Sequence, residues 1–163
     1  MALDQLLAEF KIGGLSDGEK ENLNRVWRRL APWPDALPGL NRLRRKFIVA
    51  TLSNGNVSLL VNLARYAGLP WDCILSAELV RRYKPDPEVY RTACELLGLR
   101  PEEVIMVAAH KDDLRGAQRV GMRTAFVPRP MEFGPQRALD INPDSSCEIT
   151  AGSFVELAAK LGA

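Results

Sequence analysis

Phe47-Ile48-Val49-Ala50-Thr51-Leu52, ending in Ser53-Asn54-Gly55, is the stretch that settles the fold class. A near-continuous apolar run stopped by turn formers suits a parallel strand buried on both faces. A helical pattern follows, Val57, Leu60, Val61 and Ala64, closed by Gly68. Trp71 to Ser76 is a short second strand candidate. Asp86-Pro87 opens the next helix, with Asp as N-cap and Pro at its first turn, and Gly98 ends it. That helix carries Val89, Tyr90, Ala93, Leu96 and Leu97. Val104-Ile105-Met106-Val107-Ala108-Ala109 is the clearest strand. Leu114 to Val120 is helical, closed by Gly121, and Arg123 to Val127 is a fourth strand candidate. Ser153 to Leu161 is a terminal helix with a capping box from Ser153 to Glu156. Strand and helix in alternation predict an α/β fold with a parallel sheet and right-handed crossovers. The functional site of such a sheet lies beyond the carboxyl ends of its strands.

Working back from Phe47, residues 1–46 read as helical and hold no strand. Leu3, Leu6, Leu7 and Phe10 share one helical face, which Gly13-Gly14 interrupts. Ser16 and Glu19 form a capping box for a second helix through Leu23, Val26, Trp27 and Leu30. Pro32, Pro34 and Pro38 punctuate its exit. Arg42, Arg44, Arg45 and Lys46 are a short basic run, read as a solvated helix end, where cations are welcome.

The chain has 163 residues, 47% of them hydrophobic and 26% charged, values that exclude disorder, collagen and coiled coil. Lys+Arg is 22 against 20 Asp+Glu, so charge gives no reason to expect nucleic acid or an anionic membrane as partner. Cys73, Cys94 and Cys147 are odd in number and lack a CxxC pair, which argues against a disulfide framework or structural zinc and favours the cytoplasm. There is no leader pattern at Met1-Ala2-Leu3-Asp4-Gln5, and no apolar run approaches a membrane span.

Three polar clusters fall at strand ends: Ser53-Asn54-Gly55, Lys84-Pro85, and His110-Lys111-Asp112-Asp113. Each has an ordinary reading alone. Ser-Asn-Gly is a turn and helix cap, Lys84 a surface lysine, and Asp112 or Asp113 a helix N-cap. His110, the single histidine, rules out multi-histidine metal sites. Met106 and Met122 suit core gaps, and Trp27, Trp33 and Trp71 suit packing.

In this order the clusters resemble the haloacid dehalogenase superfamily, and most closely its type II (L-2-haloacid dehalogenase) branch. The resemblance is carried by LSNGN (52–56), AGLPWDCILSAEL (67–79), YKPDPEVY (83–90), VAAHKDDLRGA (107–117) and RTAFVPRPMEFGP (123–135). WPDALPGLNRL (33–43) looks like the segment that returns from the cap to the core domain. The resemblance implies a Rossmann-like core over residues 39–163 with helices on both faces, and part of a helical cap over residues 1–38. It implies that Ser53 and Asn54 bind the substrate carboxylate or leaving group. Lys84 would offset carboxylate charge, Tyr90 would support the same site, and Asp113 would help position the hydrolytic water. His110 and Asp112 stand where the best-known dehalogenases carry Asn and Trp, which places His110 at the substrate. A small 2-haloacid substrate and no cofactor follow from the same resemblance, and homo-oligomerisation stays open.

Two departures stand out. The family's first motif, a central strand followed by Asp-x-x-Gly-Thr, supplies the nucleophile and is missing from this sequence. Asp4, Asp17 and Asp35 each lie outside any apolar strand. The expectation is a chain whose N-terminal portion, with the first part of the cap, is gone, and which does not turn over. Ala109 replaces an aspartate that superfamily phosphatases use to hold magnesium, so no metal site is expected and the phosphatase reading ranks lower. Other readings are a non-catalytic binding or structural module, and an assembly in which another chain supplies the missing strand.

Overall fold

The structure is a computed structural model that describes residues 2–134, 141–142 and 145–163. Pro135, the last residue of the stretch 123–135 quoted above, lies outside the described residues. The elements run α1 (Ala2–Glu9), α2 (Asp17–Asn24), a 3-10 turn (Val26–Arg29), α3 (Ala36–Leu43), β1 (Ala50–Ser53) and α4 (Val57–Ala67). They continue β2 (Cys73–Ser76), α5 (Pro87–Leu97), β3 (Ile105–Ala108), α6 (Lys111–Gln118), β4 (Arg123–Phe126), β5 (Ile149–Thr150) and α7 (Phe154–Lys160), with 3-10 turns over Ala77–Val80 and Pro101–Glu103.

Local chemistry explains the boundaries. The Ser16–Glu19 capping box forms in full. Asn56 caps α4 by accepting from Leu59 N, and Asp86 caps α5 with Pro87 behind it. Gly68 and Gly98 end those helices with φ of +66° and +66°, the left-handed conformation that glycine adopts freely. At α7 the box forms by half. Ser153 Oγ accepts from Glu156 N, while the Glu156 carboxylate accepts from Gly152 N instead. Helix α6 differs from expectation, because His110 occupies the N-cap position. Asp112 and Asp113 fall in the first turn, where negative charge suits the helix dipole.

All strand pairs are parallel, as the α/β pattern predicts, but they form two sheets rather than one: β1-β2, and β3-β4-β5. Helices cover both faces of the larger sheet. Leu43 of α3 and Leu157 and Ala158 of α7 pack with Ala125 and Val127 on one side. Tyr90 and Cys94 of α5, Ala117 of α6 and Met122 pack on the other, so Met122 does fill the core. Cys94 is buried there, and burial pushes its thiol up, away from reactive values. All three cysteines are free.

The first strand is shorter than its apolar run. Pairing starts at Ala50, opposite Cys73, and Ile48 is 61% exposed. Burial on both faces is not realised either: every residue of β1 and of β3 is only partly buried. The reason is the split. Each of these strands has one edge paired and the other open to a cleft of about 680 Å³, which all eight of their residues line. The gap lies where the resemblance places the missing central strand.

The N-terminal helices are less buried than their apolar spacing suggests. Of Leu6, Leu7 and Phe10, only Leu7 is buried. Trp27 and Trp33 are exposed, and Trp33 lies beside the Arg129 guanidinium instead of entering the core. None of the described helices is long and apolar enough to cross a membrane.

Candidate active site

The carboxyl ends of β1 and β3 converge on Lys84. Its backbone is fixed by Asn54, whose Oδ1 accepts from Lys84 N at 2.8 Å and whose Nδ2 donates to Lys84 O at 3.4 Å. The lysine Nζ then donates to Leu52 O at 2.7 Å and to Asp113 Oδ2 at 2.6 Å. One ammonium thus joins the end of β1 to the helix that follows β3. Lys84 and Asp113 side chains retain 14% and 15% of their exposure, so the pair is shielded but reachable from solvent.

Tyr90 reaches the same carboxylate from below. It is fully buried on α5, and its hydroxyl donates to Asp113 Oδ1 at 2.7 Å. Burial, then the hydrogen bond and negative charge of Asp113, push this hydroxyl far above its ordinary range. It therefore stays a donor throughout the range in which proteins fold. Both oxygens of Asp113 are occupied, one by Tyr90 and one by Lys84, which fixes the carboxylate plane. Gly116 makes this arrangement possible. A Cβ there would lie 2.5 Å from the Tyr90 hydroxyl oxygen.

Ser53 is close by, its Oγ accepting from Gly55 N at 3.0 Å, a turn-stabilising bond. His110 stands at the rim, exposed, with Nε2 2.9 Å from Glu132 Oε2. Asn54, Lys84, Pro85, His110, Asp112 and Asp113 line a pocket of about 210 Å³, large enough for a small organic acid. Of the six residues singled out in the sequence, Lys84, Tyr90, Asp113 and Asn54 are directly bonded together. His110 joins them along the pocket wall, and Ser53 contributes to the turn that carries Asn54. The Leu52 carbonyl, Glu132 and Gly116 carry no chemical label in the sequence. Gly116 alone had a signal, as part of the Gly-Ala that follows the acid. Among the described residues, no group of three His, Cys, Asp or Glu side chains is gathered for a metal ion.

A family model described as haloacid dehalogenase-like hydrolase matches residues 3–121. (S)-2-haloacid dehalogenase 4A of Burkholderia cepacia is 37% identical over 126 residues, covering 72% of this chain and 54% of that protein. (S)-2-haloacid dehalogenase 1 of a Pseudomonas species (strain CBS-3) is 35% identical over 144 residues, covering 83% and 63%. The chain therefore spans between half and two-thirds of the length of these curated relatives. The crystal structure of L-2-haloacid dehalogenase PA0810 superposes with a TM-score of 0.94 at 42% identity, over 98% of this chain and 70% of that one. With parallel strands converging on a lysine-acid-tyrosine cluster, and with relatives this similar, the chain belongs to the haloacid dehalogenase-like hydrolase family.

Proposed function

We propose that this chain carries the charge-balancing and substrate-holding part of a 2-haloacid dehalogenase site, and that residues 1–163 alone do not turn over. The observation that supports it best is the Lys84–Asp113–Tyr90 cluster beside a small polar pocket at the strand ends. In the intact reaction a carboxylate oxygen attacks C2 of the substrate and the carbon–halogen bond breaks, releasing halide. Water then attacks the ester carbonyl and frees the 2-hydroxy acid with a proton. On this reading Asn54 and the turn at Ser53 hold the substrate's carboxylate or departing halide. Lys84 offsets the negative charge gathered there, and Asp113 orients the water. Residues 1–38 are read as part of the cap over this pocket.

Among the described residues no strand is followed by Asp-x-x-Gly-Thr, and Asp112, which lines the pocket, is exposed and pairs with Arg115. Asp113 has both oxygens engaged. Asp4 pairs with Lys20, Asp35 pairs with Arg129, and Asp17 opens α2. None lies at the end of a strand. The reading is tested by supplying the group. Fused ahead of residue 1, a segment with an apolar strand and Asp-x-x-Gly-Thr should give halide release from (S)-2-chloropropionate. Lys84→Ala should lower that rate by several orders of magnitude. A folded fusion without release, or release that ignores Lys84→Ala, would overturn it.

A further inference from the structure

We propose that Ser76 and Glu78 are positioning residues of the pocket. Ser76 ties the loop that carries Asn54 to the loop that leads to Lys84, and Glu78 holds the far side of the Asn54 loop. Their role rests on the reading of Asn54 as a holder of the substrate's carboxylate or halide, and accounts for what keeps Asn54 in place.

Ser76 ends β2 opposite Ser53, the last residue of β1, and is 3% exposed. A serine here has an ordinary use. Its Oγ accepts from Glu78 N at 3.1 Å and caps the 3-10 turn Ala77–Val80. That use occupies a lone pair only. The hydroxyl proton goes elsewhere, donated to Gly55 O at 2.6 Å. One hydroxyl therefore accepts from the loop after β2, which leads to Lys84, and donates to the loop after β1, which carries Asn54. The same two loops meet again further out, where Asn54 Oδ1 accepts from Lys84 N at 2.8 Å. An aspartate at this position would cap the turn equally well, but an ionised carboxylate only accepts and would turn a negative oxygen toward Gly55 O. Capping explains the acceptor; the loop-to-loop bond explains the hydroxyl.

Glu78 adds a second grip. It is exposed, yet its Oε2 accepts from Val57 N at 2.8 Å. Val57 is the first residue of α4, and its N–H is one of those a helix leaves without an internal partner. Ser76 and Glu78 thus hold the turn at Gly55 O and at Val57 N, on either side of Asn56, which itself caps α4 through Leu59 N at 2.7 Å. Asn54 lies between β1, whose backbone is fixed by pairing with β2, and these two grips. The direction in which its side chain meets the pocket and Lys84 is therefore set from both ends. Neither Ser76 nor Glu78 lines the pocket, so both act on a ligand there through Asn54.

The test follows the isotope-labelled 163-residue chain by NMR, with (S)-2-chloropropionate as probe. It reads hydrogen exchange of the Lys84 amide, which needs no ligand, and Kd from the shift of the Asn54 side-chain amide. Ser76→Ala should speed that exchange about tenfold and raise Kd about tenfold, the weight of one hydrogen bond. Ser76→Thr, which keeps the hydroxyl, should restore both. Glu78→Ala, a change at the surface, should raise Kd about threefold and serves if Ser76→Ala does not fold. Thr124→Val removes a buried hydroxyl from the other sheet, so it should lower Tm and leave both readouts at wild-type values. An unchanged Kd in both Ser76→Ala and Glu78→Ala, no rescue by threonine, or equal losses in Thr124→Val would overturn the proposal and leave the reading of Asn54 standing. A wild-type Asn54 signal that ignores millimolar probe would overturn that reading, and the proposal with it.

Discussion

Alanine at Gly116 should reverse the usual effect of replacing a helical glycine. Inside a helix, Gly→Ala ordinarily stabilises by about 0.5–1 kcal/mol. Here the added Cβ would lie 2.5 Å from the Tyr90 hydroxyl oxygen, 2.8 Å from Cζ and 2.9 Å from Cε2. Tyr90 is fully buried, so the ring has no open space to move into. Overpacking of this kind costs about 1–3 kcal/mol. Displacing the ring also weakens its hydrogen bond to the Asp113 carboxylate, about 1.5–3 kcal/mol. Against the helix gain, the net loss is about 2–5 kcal/mol, and for a chain of this size each kcal/mol lowers Tm by about 2–4 °C. Urea unfolding of the wild type, Gly116→Ala, Tyr90→Phe and the double variant measures the coupling. Tyr90→Phe removes the atom in closest contact, so the double variant should lose at least about 1 kcal/mol less than the two singles added together. A stable Gly116→Ala, or a strictly additive cycle, would refute the close approach of α5 to α6.

Three further outcomes follow from named contacts. Lys84→Met leaves the Asp113 carboxylate shielded without its cation and should cost about 3–5 kcal/mol by denaturant unfolding, much of it recovered in the Lys84→Met, Asp113→Asn double variant. Gly39→Ala would place a Cβ 2.3 Å from Phe154 Cβ and 2.6 Å from its carbonyl carbon; because backbone is struck, the loss should exceed about 2 kcal/mol and should not be relieved by Phe154→Ala, which keeps both atoms. Burial alone would raise the Asp35 carboxyl, but hydrogen bonds from Arg129 and Phe154 N, with the Arg129 charge, hold it below the usual range. A depressed acid stabilises the fold above its unfolded value, about pH 4, and loses that contribution as pH falls through the lower folded value. Thermal melts of Arg129→Met should therefore lie furthest below wild type near neutral pH, with the gap closing in acid; a gap independent of pH would contradict this.

The alternation of strands and helices was legible because each strand is a short apolar run bounded by turn residues, and because Gly68, Gly98 and Asp86 mark helix ends with unambiguous chemistry. The helical reading of residues 1–46 did not show that α3 runs through Pro38 and Gly39, which look hostile to a helix. Pro38 is tolerated because it sits in the first turn, where its missing N–H has no partner to lose, and Gly39 is required because the Phe154 backbone presses on it. Two-residue β5 is too short to leave a period. The exposure of Leu6, Phe10 and Trp27 could not be read either, because apolar spacing reports a face and not whether anything covers it. At the site, Lys84, Tyr90 and Asp113 were legible as a set through the resemblance. Their geometry was not, because the shared carboxylate depends on a glycine one turn away and on the Leu52 carbonyl. The separation of β1 and β3 followed from the resemblance, which leaves the central strand out, and the apolar spacing alone could not show that their residues would be only partly buried.

Halide release from (S)-2-chloropropionate by the unmodified 163-residue chain, compared with its Lys84→Ala variant, tests the central claim most directly. A site with its supporting residues and no nucleophile should release no more halide than the variant. Steady release that depends on Lys84 would mean that a carboxylate within residues 1–163 does the attack, and would contradict the reading of this chain as the supporting part of the site.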